Sequence, residues 1–393
     1  MAELSTLVRT ATTAGQGIYP VGGRTSLDVG LVPSKTGYAV DMTALDQIID
    51  YPARDMTITV RAGITIGKLQ ETLAQEGQWL PVDIPLPSRA TLGGAVALNQ
   101  SGPRRVGSGT LRDYVIGISF VTDEGDEVKA GGRVVKNVAG YDLMKLQTGA
   151  VGTLGVITQL TLKVKPKPEA SVRVTFGCET SQLGAVLDLL HASNSRPAAL
   201  ELLNAVAWNA AGIGGDGSAA SWMVVVGFEE KASTVDWQVQ TLLTELRSAS
   251  VRDVIETCGP AAQGVWQVVT NLQRRVGSRL IWKASVLPSK VAELLQTIAQ
   301  KPWLIHSEPL NGIVWFHSPD GVPAEPMDPE LASLEQAVTT AGGNFCITRC
   351  PTAWKKTLQV WGRPKGDWEL MRQVKQALDP KGVFNPGRLF RGL

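Results

Sequence analysis

Two short stretches carry paired glycines beside hydroxyl side chains: PVGGRTS at residues 20–26 and TLGGAVALNQSG at residues 91–102. A glycine pair lets the backbone run close to a ligand and turn successive N–H groups toward an anion, so a phosphate can be held without side-chain charge. Two such loops suggest one ligand gripped from both sides, although each loop alone reads equally well as a turn in a β-rich domain. Other reactive groups are sparse. Histidine occurs only at His191, His306 and His317, and no pair has the i, i+4 spacing of a helical metal site. Of the four cysteines, Cys178, Cys258, Cys346 and Cys350, only the last two are close, and iron–sulfur runs such as C-x-x-C-x-x-C are absent. Reduced thiols are expected, and electrons leaving a redox group here would need an external acceptor. Arg274, Arg275, Arg279 and Lys283 could pair with a carboxylate, and a period of two puts Arg279 and Lys283 on one face of RLIWKAS, facing a cleft or solvent.

These groups must be positioned by regular elements. The stretches GYAVDM, DMTITVRAG, DYVIGISFVT and TLGVITQLTLKV read as strands, with TDEGDE as a turn. In TIGKLQETLAQEG, Leu69 and Leu73 share a helix face, with Thr65 as N-cap and Gly77 closing the C-terminus. Pro166 and Pro168 interrupt this pattern. Beyond them SVRVTFG, ALELLNAV, WMVVVGF, VRDVIET, RLIWKASV and GIVWFHS alternate with helical periods around QLGAVLDLLHAS, STVDWQVQTLLTELRSA and SKVAELLQTIAQ. This predicts an α+β domain with an antiparallel sheet and helices on one face. In the last helix, Leu370, Val374, Ala377 and Leu378 form an apolar side expected to pack on a core. GIGGDG at Gly212–Gly217 matches G-x-G-x-x-G letter for letter, but a strand follows where a helix is required, so it reads as a mobile loop.

At 393 residues two large domains are expected. Hydrophobic residues at 44% and charged residues at 19% fit a folded globular chain, and 38 Lys and Arg against 36 Asp and Glu leave no basic stripe for nucleic acid. The N-terminus lacks the pattern of a signal peptide, and no apolar run approaches the ~20 residues of a membrane span. The expected compartment is the cytoplasm, with any membrane association made through partner subunits.

Taken in order, the two glycine loops and GYDLMKLQTGAVGTLGVIT resemble the FAD-binding domain of the vanillyl-alcohol oxidase and p-cresol methylhydroxylase (PCMH) superfamily across residues 18–168. The likeness is closer to the FAD-binding E subunits of bacterial glycolate oxidases. It runs from VGGRTSLDVG through VDMTALDQIIDYPARDMTITVRAGITIGKLQETLAQEGQWLPVD to ALDPKGVFNPGRLF, with the middle of the chain matched loosely.

The resemblance implies a PCMH-type two-subdomain FAD-binding domain over 1–168, an α+β cap over 169–350, and a segment over 351–393 returning to the FAD domain. It implies that Gly22, Gly23, Arg24, Thr25 and Ser26 hold the FAD pyrophosphate. Pro87, Thr91, Leu92, Gly93, Gly94, Asn99, Ser101 and Gly102 would line the flavin and phosphates, Gly152, Gly155, Val156 and Ile157 would offer backbone contacts, and Asn385 and Arg388 would return to the flavin ring. Arg24 stands where many relatives attach FAD through histidine, so noncovalent FAD is expected; Arg24 itself could pair with an anion or face solvent. The paired-histidine metal motif of the D subunit and of D-lactate dehydrogenases is missing. Oxidation of a 2-hydroxy acid needs a proton acceptor, for which His306 and His317 are the candidates, and a cation for the carboxylate, for which Arg279 and Lys283 are. The implied function is oxidation of glycolate or D-lactate beside a D-type flavoprotein subunit and an F-type iron–sulfur subunit. A self-sufficient dehydrogenase and a scaffold that has lost FAD remain the alternatives.

Overall fold

The structure is a computed structural model that describes residues 1–132, 141–213, 220–251, 253–299, 302–319 and 329–390. Residues 214–217 of the GIGGDG stretch lie outside the described residues. The chain forms two compact units. The first comprises Met1–Ser101, Gly109–Lys167 and Arg363–Leu393, the second Gly102–Ser108 and Pro168–Gly362.

In the first unit a five-stranded sheet runs in the order Ile48–Asp50, Thr57–Arg61, Val156–Lys163, Val115–Val121, Glu127–Gly131, antiparallel throughout. The TDEGDE turn closes the last hairpin, with Gly125 at φ 77° supplying the left-handed step. Ile58, Val60, Leu160 and Leu162 point into one core with Leu69 and Leu73 of helix Ile66–Gln75. Each such buried side chain contributes about 1.5–3 kcal/mol, which is why this helix sits on the sheet. Thr65 caps it as the sequence suggests, its Oγ1 accepting from Lys68 N at 3.2 Å. Gly17–Val21 and Gly37–Asp41 form a separate parallel pair. A helix that the sequence reading passed over, Ala2–Ala14, packs Val8 and Ala11 against Ile18, Met42, Val156, Val383 and Phe384.

The C-terminal helix Asp367–Leu378 departs from expectation. Its apolar side packs only in part, with Val374 and Leu378 half-buried and Leu370 62% exposed, and the side chain the helix buries is Lys375. The Lys375 ammonium donates to Thr153 O at 2.7 Å, to Phe384 O at 3.1 Å and to the Asp379 carboxylate. Asp379 in turn accepts from Val383 N and Phe384 N, both at 2.8 Å. A buried ion pair tied to four backbone groups, not an apolar stripe, anchors the segment. Burial pushes the Lys375 ammonium below its ordinary range, and the Asp379 carboxylate opposes that shift.

The second unit is built on an eight-stranded antiparallel sheet in the order Ile255–Cys258, Ala170–Cys178, Trp222–Glu230, Ala199–Asn204, Leu304–Glu308, Ile313–His317, Ile281–Ser285, Asn344–Arg349. Two of these strands, Leu304–Glu308 and Asn344–Arg349, were not read from the sequence. Ala199, Leu203, Met223 and Val225 pack with Ala207 and Trp208 of helix Ala205–Ala211 and with Val265, Trp266 and Val269 of helix Pro260–Leu272. The intervening Leu200, Leu202, Val224 and Val226 are equally buried, so both faces of the central strands are covered rather than one. Segment Gly102–Ser108 is held in this unit by a bidentate pair, Arg104 Nε and Nη2 each 2.7 Å from a Glu229 carboxylate oxygen.

Lys375→Ala should lower stability by about 3–5 kcal/mol, because Asp379 is left buried without its cation. Thermal unfolding reads this, and the double variant Lys375→Met/Asp379→Leu should recover a large part of the loss. A single variant that melts with the parent would contradict the anchor.

Candidate functional site

A cavity of about 320 Å³ opens in the first unit, within the range of small-molecule sites. Its lining runs from Tyr19 in the first strand to Leu27, Thr91 to Leu98 with helix Leu92–Leu98, residues 151–157, and Asn385 with Arg388, together with Val29, Pro33, Met42 and Ala62. Among the predicted residues Gly22, Gly23, Arg24, Thr25, Ser26, Thr91, Gly93, Gly94, Gly152, Gly155, Ile157, Asn385 and Arg388 all contribute to its wall.

The glycine pairs have a specific reason to be glycine. A Cβ on Gly23 would fall 1.6 Å from Arg89 O, and one on Gly22 would fall 2.1 Å from Thr91 Oγ1. A Cβ on Gly93 would meet Ala62 Cβ at 2.8 Å. The first loop is therefore pressed onto the second by backbone-to-backbone approach, and the absent side chains serve loop packing as much as ligand access. The N–H groups of Gly22, Gly23, Arg24, Thr25 and Ser26 donate to no other residue among the described residues. Five successive unbonded amides beside a cavity are the kind of donor set that suits an anion.

Backbone strain concentrates here. Arg24 (φ 57°), Val151 (φ 56°) and Asn385 (φ 43°) are left-handed residues without glycine's freedom, and all three line the cavity. Hydrogen bonds hold the last two: Val151 N donates to Ala97 O at 2.8 Å, Asn385 Nδ2 donates to Val151 O at 2.8 Å, and Asn385 N donates to Ile18 O at 3.0 Å. Tyr19, Ala97 and Val151 also line the cavity and were not singled out; Ala97 and Val151 lie within the quoted glycine-rich stretches, but the left-handed backbone that marks Val151 is invisible in sequence.

Other predicted residues support the wall from behind. Leu92 is fully buried in the sheet core, and Val156 lies in the second core with Val8 and Phe384. Pro87 O accepts from Gly67 N at 2.8 Å, and Asn99 caps helix Leu92–Leu98 in the left-handed region while its Oδ1 accepts from Arg112 N at 3.2 Å. Ser101 ends the first unit's opening segment, and Gly102 begins the second unit. Arg388 grips the loop rather than facing the cavity with a free charge. Its guanidinium donates to Leu31 O at 2.9 Å, to Leu27 O at 2.8 Å and to Val29 O.

In the second unit, register brings His306 opposite Leu203 and Trp315, Trp315 opposite Lys283, and His317 opposite Ile281, so these side chains share one sheet face. His306 stacks on Trp315 at 5.9 Å and on His317 at 5.2 Å between centroids. The Lys283 ammonium lies 5.5 Å from the Trp315 ring centroid and makes no ion pair among the described residues. His306 Nδ1 lies 2.6 Å from Glu201 Oε1, with both side chains 1% exposed. His306 Nε2, both His317 nitrogens and Trp315 Nε1 have no hydrogen-bonding partner among the described residues. Burial pushes His306 down to about 3, and burial, with His306, Arg275 and Arg349 nearby, holds His317 well below the imidazole range. Arg279 is exposed and precedes strand Ile281–Ser285, so it stands outside this buried set. His191 lies exposed in the last turn of helix Leu183–Ala192.

Comparison with known proteins agrees with the cavity. Residues 1–131 match the FAD binding domain family, and residues 360–389 match the C-terminal domain of FAD linked oxidases. The chain is 41% identical over 138 residues to the glycolate oxidase subunit GlcE of Escherichia coli (strain K12), an alignment covering 35% of this chain and 39% of that protein. It is 25% identical to the glycolate oxidase subunit GlcD of Bacillus subtilis (strain 168), over 95% of this chain and 83% of the relative. With the D-2-hydroxyglutarate dehydrogenase of Stutzerimonas stutzeri (strain A1501) identity is 24%, over 99% and 89%. Solved alkyldihydroxyacetonephosphate synthase has the same fold, with a TM-score of 0.69 at 17% identity over 98% of this chain and 75% of that one. The fold is thus the PCMH-type FAD-binding fold, FAD is the cofactor, and the matches place the chain among FAD-linked oxidoreductases.

Gly23→Ala should abolish FAD binding, because the clash with Arg89 O needs only a Cβ; full flavin content in the alanine variant, read by absorbance, would contradict the loop packing. In the second unit the sign follows from the imidazoles. Unfolded histidine titrates near about 6.5 and takes up protons that the folded chain refuses, so stability is full above that pH and falls by about 1.4 kcal/mol per unit per histidine below it. Melting between pH 7 and 5.5 should therefore decline less in His317→Gln than in the parent, and equal declines would contradict burial of a neutral His317.

Proposed function

We propose that this chain is the FAD-binding subunit of an assembly that oxidises a small 2-hydroxy acid, glycolate or D-lactate, to the 2-oxo acid. The observation that carries the reading is the unpartnered amide run Gly22–Ser26 lining a cavity closed by glycine packing, in a chain 41% identical over 138 residues to a glycolate oxidase subunit. Neutral N–H groups bind a dianionic pyrophosphate without the clustered lysines that the sequence lacks. Arg24 occupies the place of a flavin-linking histidine, so the cofactor is held noncovalently. Bound FAD supplies a two-electron acceptor.

The remaining work falls to the chain's own residues. Lys283, with its ammonium over Trp315 and no ion pair among the described residues, is the cation offered to a substrate carboxylate. His306 and His317, neutral and buried, are the proton acceptors for the hydroxyl group. The partners of this reading are a D-type flavoprotein subunit and an F-type iron–sulfur subunit; the latter suits a chain whose four cysteines are free thiols. A self-sufficient dehydrogenase is the second reading, favoured by the full-length alignment with the D-type relative of Bacillus subtilis.

Mixed anaerobically with glycolate or D-lactate, the flavin-loaded chain should lose its visible flavin absorbance, alone under the second reading and only with its D-type partner under the first. Lys283→Met should raise the substrate concentration for half-reduction about 10-fold or more while flavin content stays unchanged. A flavin that stays oxidised with every 2-hydroxy acid in both settings would refute the proposal.

A further inference from the structure

We infer that Gln100 is a positioning residue of the cofactor site: by donating to Ser26 Oγ it commits the Ser26 hydroxyl to donate into the cavity, toward a phosphate oxygen of the dinucleotide. This inference rests on the reading that the Gly22–Ser26 loop meets the FAD pyrophosphate. Gln100 lies in the stretch NQSG, where the family resemblance singles out Asn99, Ser101 and Gly102 but passes over the glutamine. Gln100 itself does not line the cavity.

The end of helix Leu92–Leu98 sets its place. Asn99 takes the left-handed conformation at φ 47° and ψ 51°, and the chain reverses there. Asn99 N donates to Val96 O at 3.0 Å and Gln100 N donates to Ala95 O at 3.1 Å, the paired bonds of a Schellman motif. With its backbone pinned to the helix end, Gln100 reaches the first loop, and its Nε2 donates to Ser26 Oγ at 3.2 Å. The Ser26 backbone is fixed separately. Its carbonyl accepts from Val29 N at 3.2 Å, and the Arg388 guanidinium donates to the carbonyls of Leu27 and Val29 beyond it.

A serine hydroxyl has one O–H and two lone pairs. Because the Gln100 amide takes a lone pair of Ser26 Oγ, the O–H must point elsewhere, and no group among the described residues accepts it. Ser26 lines the cavity at the end of the amide run Gly22–Ser26, whose N–H groups also lack acceptors, and no Asp or Glu lines that cavity among the described residues. The hydroxyl thus adds an O–H to a row of N–H donors, and an ionised phosphate oxygen is the acceptor that makes the stronger, charge-assisted bond with it. Without Gln100 the hydroxyl rotates freely, and the orientations that turn a lone pair toward a phosphate oppose binding. A carboxylate in place of the amide only accepts, so it would draw the Ser26 proton to itself and leave oxygen lone pairs facing the anion.

The dissociation constant for FAD, titrated into the flavin-free full-length protein, tests this in Gln100→Glu, Gln100→Leu and Ser26→Ala. Gln100→Glu, which keeps the shape and reverses the role, should raise the constant about 10-fold or more, and Gln100→Leu about threefold or more. In a Ser26→Ala background Gln100→Leu should change it by less than about twofold, because the hydroxyl it positions is gone. A constant within about twofold of the parent in either Gln100 variant would overturn the inference. So would a Gln100→Leu penalty as large with Ser26→Ala as without it, since Gln100 would then act only by holding the loops together. A parent chain that takes up no FAD would instead refute the ligand assigned to the cavity, and the inference with it.

Discussion

The approach of the Gly22–Gly23 backbone to the carbonyl of Arg89 and the hydroxyl of Thr91 is the contact on which the cofactor site depends. No side chain fits between these loops. Once they are pressed together, the amides of Gly22 to Ser26 have no carbonyl of their own to meet and line the cavity, while helix Leu92–Leu98 is fixed by Leu92 N bonding to Ile64 O and Gly93 N to Ala62 O. The left-handed backbone at Val151 is held by its hydrogen bonds with Ala97 and Asn385, while Arg24 takes the same region next to Gly23. The C-terminal segment completes the wall, and its placement rests on Lys375 and Asp379, whose buried charges are satisfied by carbonyls and amides from Thr153 and residues 383–384.

The two units treat charge in opposite ways. In the first, a run of neutral amides without bonding partners among the described residues lines the cavity, and the guanidinium of Arg388 is spent on three loop carbonyls. In the second, burial holds two imidazoles neutral on a sheet face that also carries a carboxylate and a lysine. A neutral imidazole with a free nitrogen is a proton acceptor, and an ammonium without an anionic neighbour suits a carboxylate.

Much of this was legible in the sequence because local chemistry is local. Period-two runs marked the strands Thr57–Arg61 and Val156–Lys163, the Thr65 cap marked its helix, and the glycine pairs marked the cavity. What escaped depends on tertiary context. Leu304–Glu308 reads as LIHSE, with His, Ser and Glu that no strand pattern favours, and it is a strand paired between Ala199–Asn204 and Ile313–His317, with His306 set against Glu201 and Trp315. The helix Asp367–Leu378 shows an apolar stripe that stays partly exposed, because the buried attachment is a lysine whose partners lie far away in sequence. Arg279 followed the alternation of its strand but lies before the strand begins, and Glu201 gave no signal, since a carboxylate between leucines is meaningful only once its histidine is in place.

The central claim is that residues 22–26, closed by glycine against glycine-free backbone, hold FAD through neutral amides. Its most direct measurement is the flavin content of the full-length protein purified without added cofactor, before and after acid precipitation. About one FAD per chain, released entirely into the supernatant, is the predicted result. A chain that carries no flavin and takes none up when FAD is supplied, or one whose flavin stays with the precipitate, would contradict the account.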